Sequence, residues 1–148
     1  MLNKDYKEML QSLLRNEVRF LIVGAYAMAA YGYPRATGDF DIWIGNTEEN
    51  SDKLYKALSD FGAPLDNITP KTFSQKNIVF QIGVAPSRID ILTDIDGINF
   101  TDAYESKQDI KLDGLILPFI SKSNLIKNKK STGRDRDIID AQVLEEIE

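Results

Sequence analysis

Two aspartates separated by one residue are the side chains in this sequence whose spacing best suits metal chemistry. Asp39 and Asp41 lie in the alternating segment 39–44, DFDIWI, which is typical of a β-strand. Side chains two residues apart on a strand project from the same face, with Cα atoms about 7 Å apart, so both carboxylates can reach one divalent ion or a close pair of ions. An isolated pair of this kind more often marks the solvated face of an edge strand, so the interpretation depends on the surrounding residues.

A glycine before this strand and an acid after it add to the pattern. Gly24 follows the apolar run 18–23 and precedes the Ala-rich segment 25–30, which predicts a strand, a tight turn and a helix. Amides at a helix start can bind phosphate, and glycine has no Cβ to obstruct the approach. Asp90 lies in the strand-like segment RIDIL. Each feature also has a purely structural explanation. The turn at Gly24 can serve packing alone, and Asp90 can be an exposed residue on a half-buried strand.

The remaining patterns predict a chain of mixed α/β class. Hydrophobic periodicity and capping residues predict helices over 5–15, 47–61, 121–130 and 135–147, and a short one near 70–75. Turn residues predict hairpins at 78–92 and at 110–117, where Asp113 and Gly114 form the turn. Lys129 and Lys130 are expected on a solvated helix face. The expected buried face of the last helix consists of Ile138, Ile139, Val143, Leu144 and Ile147.

The composition narrows the classes of function. The chain has 148 residues, a net charge of -5, no cysteine and no histidine. Without those two residue types there is no thiolate or imidazole catalysis, so any catalysis must rely on carboxylates, Lys, Arg, Tyr and a hard metal. The acidic balance argues against general DNA binding. The absence of a signal-like N-terminus and of a long apolar stretch predicts a cytoplasmic protein that is not associated with a membrane.

Taken together, these motifs resemble the polymerase-β-like nucleotidyltransferase superfamily, especially its small bacterial members of the abortive-infection toxin type. Their pattern is a strand ending in Gly-Gly or Gly-Ser, then a helix, an acid-hydrophobic-acid strand and a third acid on a later strand. Arg-x-Thr commonly precedes the acidic pair, and a C-terminal Lys is followed by Arg-x-Lys/Arg-Asp. The residues at the corresponding positions are Gly24, Ala25, Arg35, Thr37, Asp39, Asp41, Asp90, Lys127, Arg134, Arg136 and Asp137, and all but Ala25 match the pattern.

The resemblance implies one domain over 1–148, with a mixed sheet of about five strands flanked by helices and a helical segment from about residue 121. It implies transfer of a nucleoside monophosphate from a nucleoside triphosphate to a hydroxyl of a small molecule, protein or RNA. Magnesium, with manganese as the alternative, would be held by Asp39, Asp41 and Asp90 in a two-metal mechanism. The nucleotide would be bound by Gly24, Ala25, Arg35, Thr37, Lys127 and Arg134.

The turn departs from the family pattern at one position. Ala25 stands where the family has a second glycine or a serine, so a hydroxyl that could contact a phosphate is missing. An alternative interpretation therefore stays open, a weakly active or inactive binding module with this fold that acts in a toxin–antitoxin or other protein pair.

Overall fold

The computed structural model describes residues 2–34 and 37–147. The helices are α1 Lys4–Arg15, α2 Gly24–Ala30, α3 Glu48–Phe61, α4 Phe100–Glu105, α5 Lys122–Ser131 and α6 Asp135–Glu146, and a 3-10 turn spans Thr72–Ser74. The strands are β1 Phe20–Val23, β2 Asp39–Ile44, β3 Val79–Ile82, β4 Arg88–Leu92, β5 Gln108–Leu112 and β6 Leu115–Phe119.

The six strands form one mixed sheet in the order β3-β4-β2-β1-β6-β5. β2 lies between β1, to which it is antiparallel, and β4, to which it is parallel. β3 and β5 are antiparallel partners of β4 and β6, which confirms both predicted hairpins. The α/β class is confirmed, and the sheet has one strand more than expected because both arms of the 110–117 hairpin join it.

Local capping interactions explain where several helices begin and end. The side chains of Asn3, Thr47 and Ser121 accept hydrogen bonds from backbone amides at the starts of α1, α3 and α5. Gly62, with φ of 93°, ends α3 in the left-handed conformation. α4 was not predicted from the sequence, because its six residues are too few to display a helical period.

The central strands are buried on both faces except where the acids lie. All four residues of β1 are buried, and so are Phe40, Ile42, Trp43 and Ile44 of β2. The Trp43 indole lies on the same strand face as the acids, and its Nε1–H donates to the carbonyl of Thr93 at 3.2 Å. Asp39 and Asp41 therefore lie at the partly exposed end of a strand whose other residues are buried.

The buried face of α6 differs from the one predicted. Ile138 is 37% exposed and Ile139 is 55% exposed, whereas the buried side carries Asp137, Asp140, Ala141 and Leu144. The physical reason is that cationic groups of α5 and the following turn pair with the two aspartates, which offsets the cost of burying them.

No helix in the part of the chain that the structure describes is both long enough and apolar enough to cross a lipid bilayer.

Candidate active site

The sheet register brings three aspartates together. Asp41 lies opposite Val23 of β1 on one side and Asp90 of β4 on the other, and Asp39 precedes it by two residues on the same face. One carboxylate oxygen from each aspartate lies within 4.8 Å of the others. Asp90 is 7% exposed, and Asp39 and Asp41 are half-buried.

Gly24 is needed because of its contact with Asp41. It has φ of 69°, and a Cβ built on it would overlap the Oδ2 atom of Asp41 and approach its Cγ to 3.1 Å. Any other residue would therefore combine a strained backbone with a clash against the carboxylate. The glycine that the sequence analysis associated with phosphate also makes room for a metal-ligand candidate.

Arg88 is a site residue that the sequence analysis missed. Its Nε donates to Oδ1 of Asp90 at 3.0 Å, and its Nη2 donates to Oδ2 of Asp90 at 3.2 Å and to Oδ2 of Asp39 at 2.8 Å. The available signal was the i, i+2 spacing of Arg88 and Asp90, which places both side chains on one strand face.

The hydroxyl groups of Thr37 and Tyr6 donate hydrogen bonds next to the three aspartates. Thr37 donates to Oδ1 of Asp39 at 2.6 Å, so Thr37 contacts a candidate metal ligand. The buried Tyr6 hydroxyl lies 3.0 Å from the carbonyl of Pro86 and 3.1 Å from that of Arg88. Burial raises the pKa of Tyr6 to about 12, with smaller effects of Tyr26 and the three aspartates, so this hydroxyl remains a donor at neutral pH. Arg35, the other predicted residue of this segment, lies outside the described residues.

The opposite wall of the site comes from α5, α6 and the turn between them. Lys129 is 12% exposed in its side chain and lies 3.3 Å from Asp137 and 3.4 Å from Asp140. Thr132 donates to Asp137 at 2.7 Å, as does Nε of Arg134. Burial by itself would raise the pKa of Asp137. The contacts with Thr132, Lys129 and Arg134 nevertheless hold this pKa below its usual value.

A cavity of about 440 Å³ separates the two walls. It is lined by Gly24, Ala25, Thr37, Asp39, Asp41, Lys129, Arg134, Arg136 and Asp137. Lys127 is exposed on α5 and is not among these lining residues, whereas Lys129, expected on a solvated face, is. The structure thus brings together all the predicted site residues that it describes except Lys127. Asp90 is not among the residues that line the cavity, but Arg88 links it to Asp39, which is.

The electrostatics of the site favour a bound cation. Burial, together with the charges of Asp39 and Asp90, raises the pKa of Asp41 to about 7, although the positive charges of Lys129 and Arg88 act in the opposite direction. Three converging carboxylates are hard oxygen donors of the kind that magnesium and manganese prefer. The donor set therefore fits a divalent metal, which would be held by Asp39, Asp41 and Asp90.

Comparison with known protein families and with curated proteins finds no match. Among solved structures, the chain is similar to TM1012 of Thermotoga maritima, a proposed nucleotidyltransferase, with a TM-score of 0.61 and 16% identity over 98% of this chain and 93% of that one. It is also similar to the lincosamide antibiotic adenylyltransferase LnuA in its lincomycin-bound form, with a TM-score of 0.60 and 14% identity over 100% and 99% of the two chains. The chain has the nucleotidyltransferase fold.

Proposed function

We propose that this protein is a magnesium-dependent nucleotidyltransferase that moves a nucleoside monophosphate from a nucleoside triphosphate to a hydroxyl acceptor. The observation that carries the proposal is the convergence of Asp39, Asp41 and Asp90 within 4.8 Å beside a polar cavity, on a nucleotidyltransferase fold. LnuA is an adenylyltransferase, and this makes ATP the first triphosphate to test.

The proposed reaction is an in-line displacement at the α-phosphorus. The acceptor oxygen forms a bond to that phosphorus, the bond from the phosphorus to the α,β-bridging oxygen breaks, and pyrophosphate leaves with the electron pair. Bound magnesium would supply charge neutralisation on the phosphate oxygens and a lowered pKa for the acceptor hydroxyl. Asp39, Asp41 and Asp90 would hold the metal in this proposal, and Asp90 also accepts the proton that the acceptor loses.

Both walls of the cavity would bind the triphosphate. Gly24 and Ala25 lie at the start of α2 and line the cavity, and backbone amides at such a position can donate hydrogen bonds to phosphate oxygens. Lys129, Arg134 and Arg136 supply positive charge from the other side. We assign to Lys129 the role that the sequence pattern suggested for Lys127, because Lys129 lines the cavity.

A second candidate function rests on Ala25. This residue lines the cavity without offering a side-chain hydroxyl, and that favours a binding module that keeps the fold but has little or no activity. Such a module would act through a partner protein. Metal-dependent binding of a triphosphate separates the two candidates, since an inert module has no need of it.

Calorimetric titration of the protein with ATP, GTP, CTP and UTP, each with magnesium or with EDTA, tests the proposal. We expect binding of at least one triphosphate only with magnesium, and loss of that binding in Asp39→Asn. Asp66→Asn, at an exposed position, is the matched control and should bind like the unsubstituted protein. Absence of metal-dependent binding for all four triphosphates would exclude the enzyme and leave the binding module.

A further inference from the structure

Arg88 occupies the space between two of the three candidate metal ligands. Its Nη2 lies 2.8 Å from Oδ2 of Asp39 and 3.2 Å from Oδ2 of Asp90, and its Nε contacts the other oxygen of Asp90. The remaining oxygen of Asp39 accepts from Thr37. Every carboxylate oxygen of Asp39 and Asp90 thus already accepts a hydrogen bond.

This arrangement conflicts with shared metal ligation by the same two aspartates. A guanidinium and a divalent ion are both cations, and in a partly buried site their repulsion is screened much less than in water. The guanidinium also takes one of the two lone pairs on each carboxylate oxygen that it contacts, which leaves fewer positions for a shared cation. Arg88 and a metal therefore cannot both make their best contacts with Asp39 and Asp90.

We propose that Arg88 is an internal cation that competes with the divalent metal, so that its guanidinium leaves Asp39 and Asp90 when the metal binds. This inference rests on the proposed metal site and adds a residue that controls its affinity. In the absence of metal, the single positive charge of Arg88 bridges two of the three close carboxylates and so offsets part of their repulsion.

The surroundings of Arg88 allow its side chain to move while its backbone stays fixed. The backbone belongs to β4, where Arg88 pairs with Asp39 of β2, and the Tyr6 hydroxyl donates to the Arg88 carbonyl. The side chain is 34% exposed, so the guanidinium can rotate about its flexible stem into water. Displacement thus requires a rotamer change and leaves the sheet intact.

Manganese affinity measured by calorimetry tests the competition directly, with manganese as the probe. Arg88→Met removes the competing cation, and we expect its dissociation constant to fall about fivefold or more. Arg15→Met removes one positive charge from an exposed position on α1, and we expect its constant to stay within about twofold of the unsubstituted value. Arg88→Lys keeps the positive charge but loses the planar guanidinium that contacts both aspartates. Its dissociation constant should lie between those of Arg88→Met and the unsubstituted protein.

The possible results separate the inference from the proposed function. If the unsubstituted protein binds manganese and Arg88→Met binds it equally or more weakly, the competition is wrong and the metal site stands. If neither protein binds manganese, both the inference and the proposed metal site are wrong.

A second measurement follows the unsubstituted protein and does not require Arg88→Met to fold. The ¹⁵N NMR signal of the Arg88 Nε–H, assigned by its loss in Arg88→Lys, should move with magnesium concentration in parallel with the signals of β2. A signal that stays in place while the β2 signals respond would overturn the inference.

Discussion

Gly24 and Asp41 are coupled by a contact that only glycine permits. The contact follows from the register of β1 and β2, in which Val23 pairs with Asp41, so the next residue of the chain passes directly over the carboxylate. The sequence showed a glycine at the end of a strand, but the neighbour that requires it became clear only from the pairing of the strands.

We expect Gly24→Ala to lose metal affinity as well as stability. The left-handed backbone alone costs an alanine about 1 to 2 kcal/mol, and the clash with Asp41 adds to this by displacing a metal ligand. Gly114→Ala is the matched control, because Gly114 has φ of 82° with nothing within 4 Å of an added Cβ. Urea unfolding and manganese calorimetry should show a stability loss in both variants and an affinity loss in Gly24→Ala alone. Equal manganese affinities in the two variants would contradict the role given to the contact.

Asp41 should make the stability of the metal-free protein depend on pH. Its pKa of about 7 in the folded state lies above the ordinary value of 3.8, so the folded protein holds this proton more tightly than the unfolded chain does. The contribution of Asp41 to the free energy of unfolding is therefore full below pH 4 and falls as pH rises toward 7, by up to about 1.4 kcal/mol per pH unit.

Urea unfolding in EDTA at pH 5 and pH 7.5 measures this effect. We expect the unsubstituted protein to lose more stability over that interval than Asp41→Asn, which has no proton to lose at this position. A loss of the same size in both proteins would show that Asp41 does not titrate in this range.

At the level of elements, the strands and hairpins were easier to predict than the faces of the C-terminal helices. The turn at Asp113 and Gly114 and the alternation in 39–44 depend on local sequence alone. The choice between Lys127 and Lys129 depends on how α5 is rotated against α6, and the apolar pattern does not determine it. Arg88 was missed for a related reason, because one of its two partners, Asp39, lies on another strand, and the i, i+2 spacing to Asp90 alone does not reveal that contact.

Lys129 should matter for both stability and binding, and Lys127 for neither. Lys129→Met leaves the buried Asp137 and Asp140 without the cation that they share. Removing one partner of a buried ion pair lowers the free energy of unfolding by roughly 3 kcal/mol. It also removes a positive charge from the cavity. Lys127→Met makes the same chemical change on the same helix at an exposed position.

Urea unfolding and calorimetry with magnesium and a triphosphate compare the two lysine variants. We expect lower stability and weaker nucleotide binding in Lys129→Met and values close to those of the unsubstituted protein in Lys127→Met. Weaker nucleotide binding in Lys127→Met, with Lys129→Met unaffected, would return the phosphate-binding role to the residue that the sequence pattern favoured.

At the level of the whole molecule, the site exists because one sheet places three distant segments side by side. β2 carries two acids, β4 on one side carries the third, and β1 on the other side ends in the glycine turn. The resemblance of short motifs predicted this grouping, and the likeness to two nucleotidyltransferase-fold structures agrees with it at the level of the fold. The identity of the acceptor molecule is set by loops and surface residues, whose sequences follow no general code, so it could not be predicted from the sequence.

Transfer of label from ATP carrying ³²P at either the α or the γ position tests the central claim most directly. The protein is incubated with magnesium and a cell extract that supplies acceptors, beside Asp90→Asn and an EDTA control. The proposed chemistry predicts a product labelled from the α position only, with the γ label released in pyrophosphate, and no such product with Asp90→Asn or EDTA. A product labelled from the γ position, or an α-labelled product that forms equally well with Asp90→Asn, would contradict nucleotidyl transfer at this site.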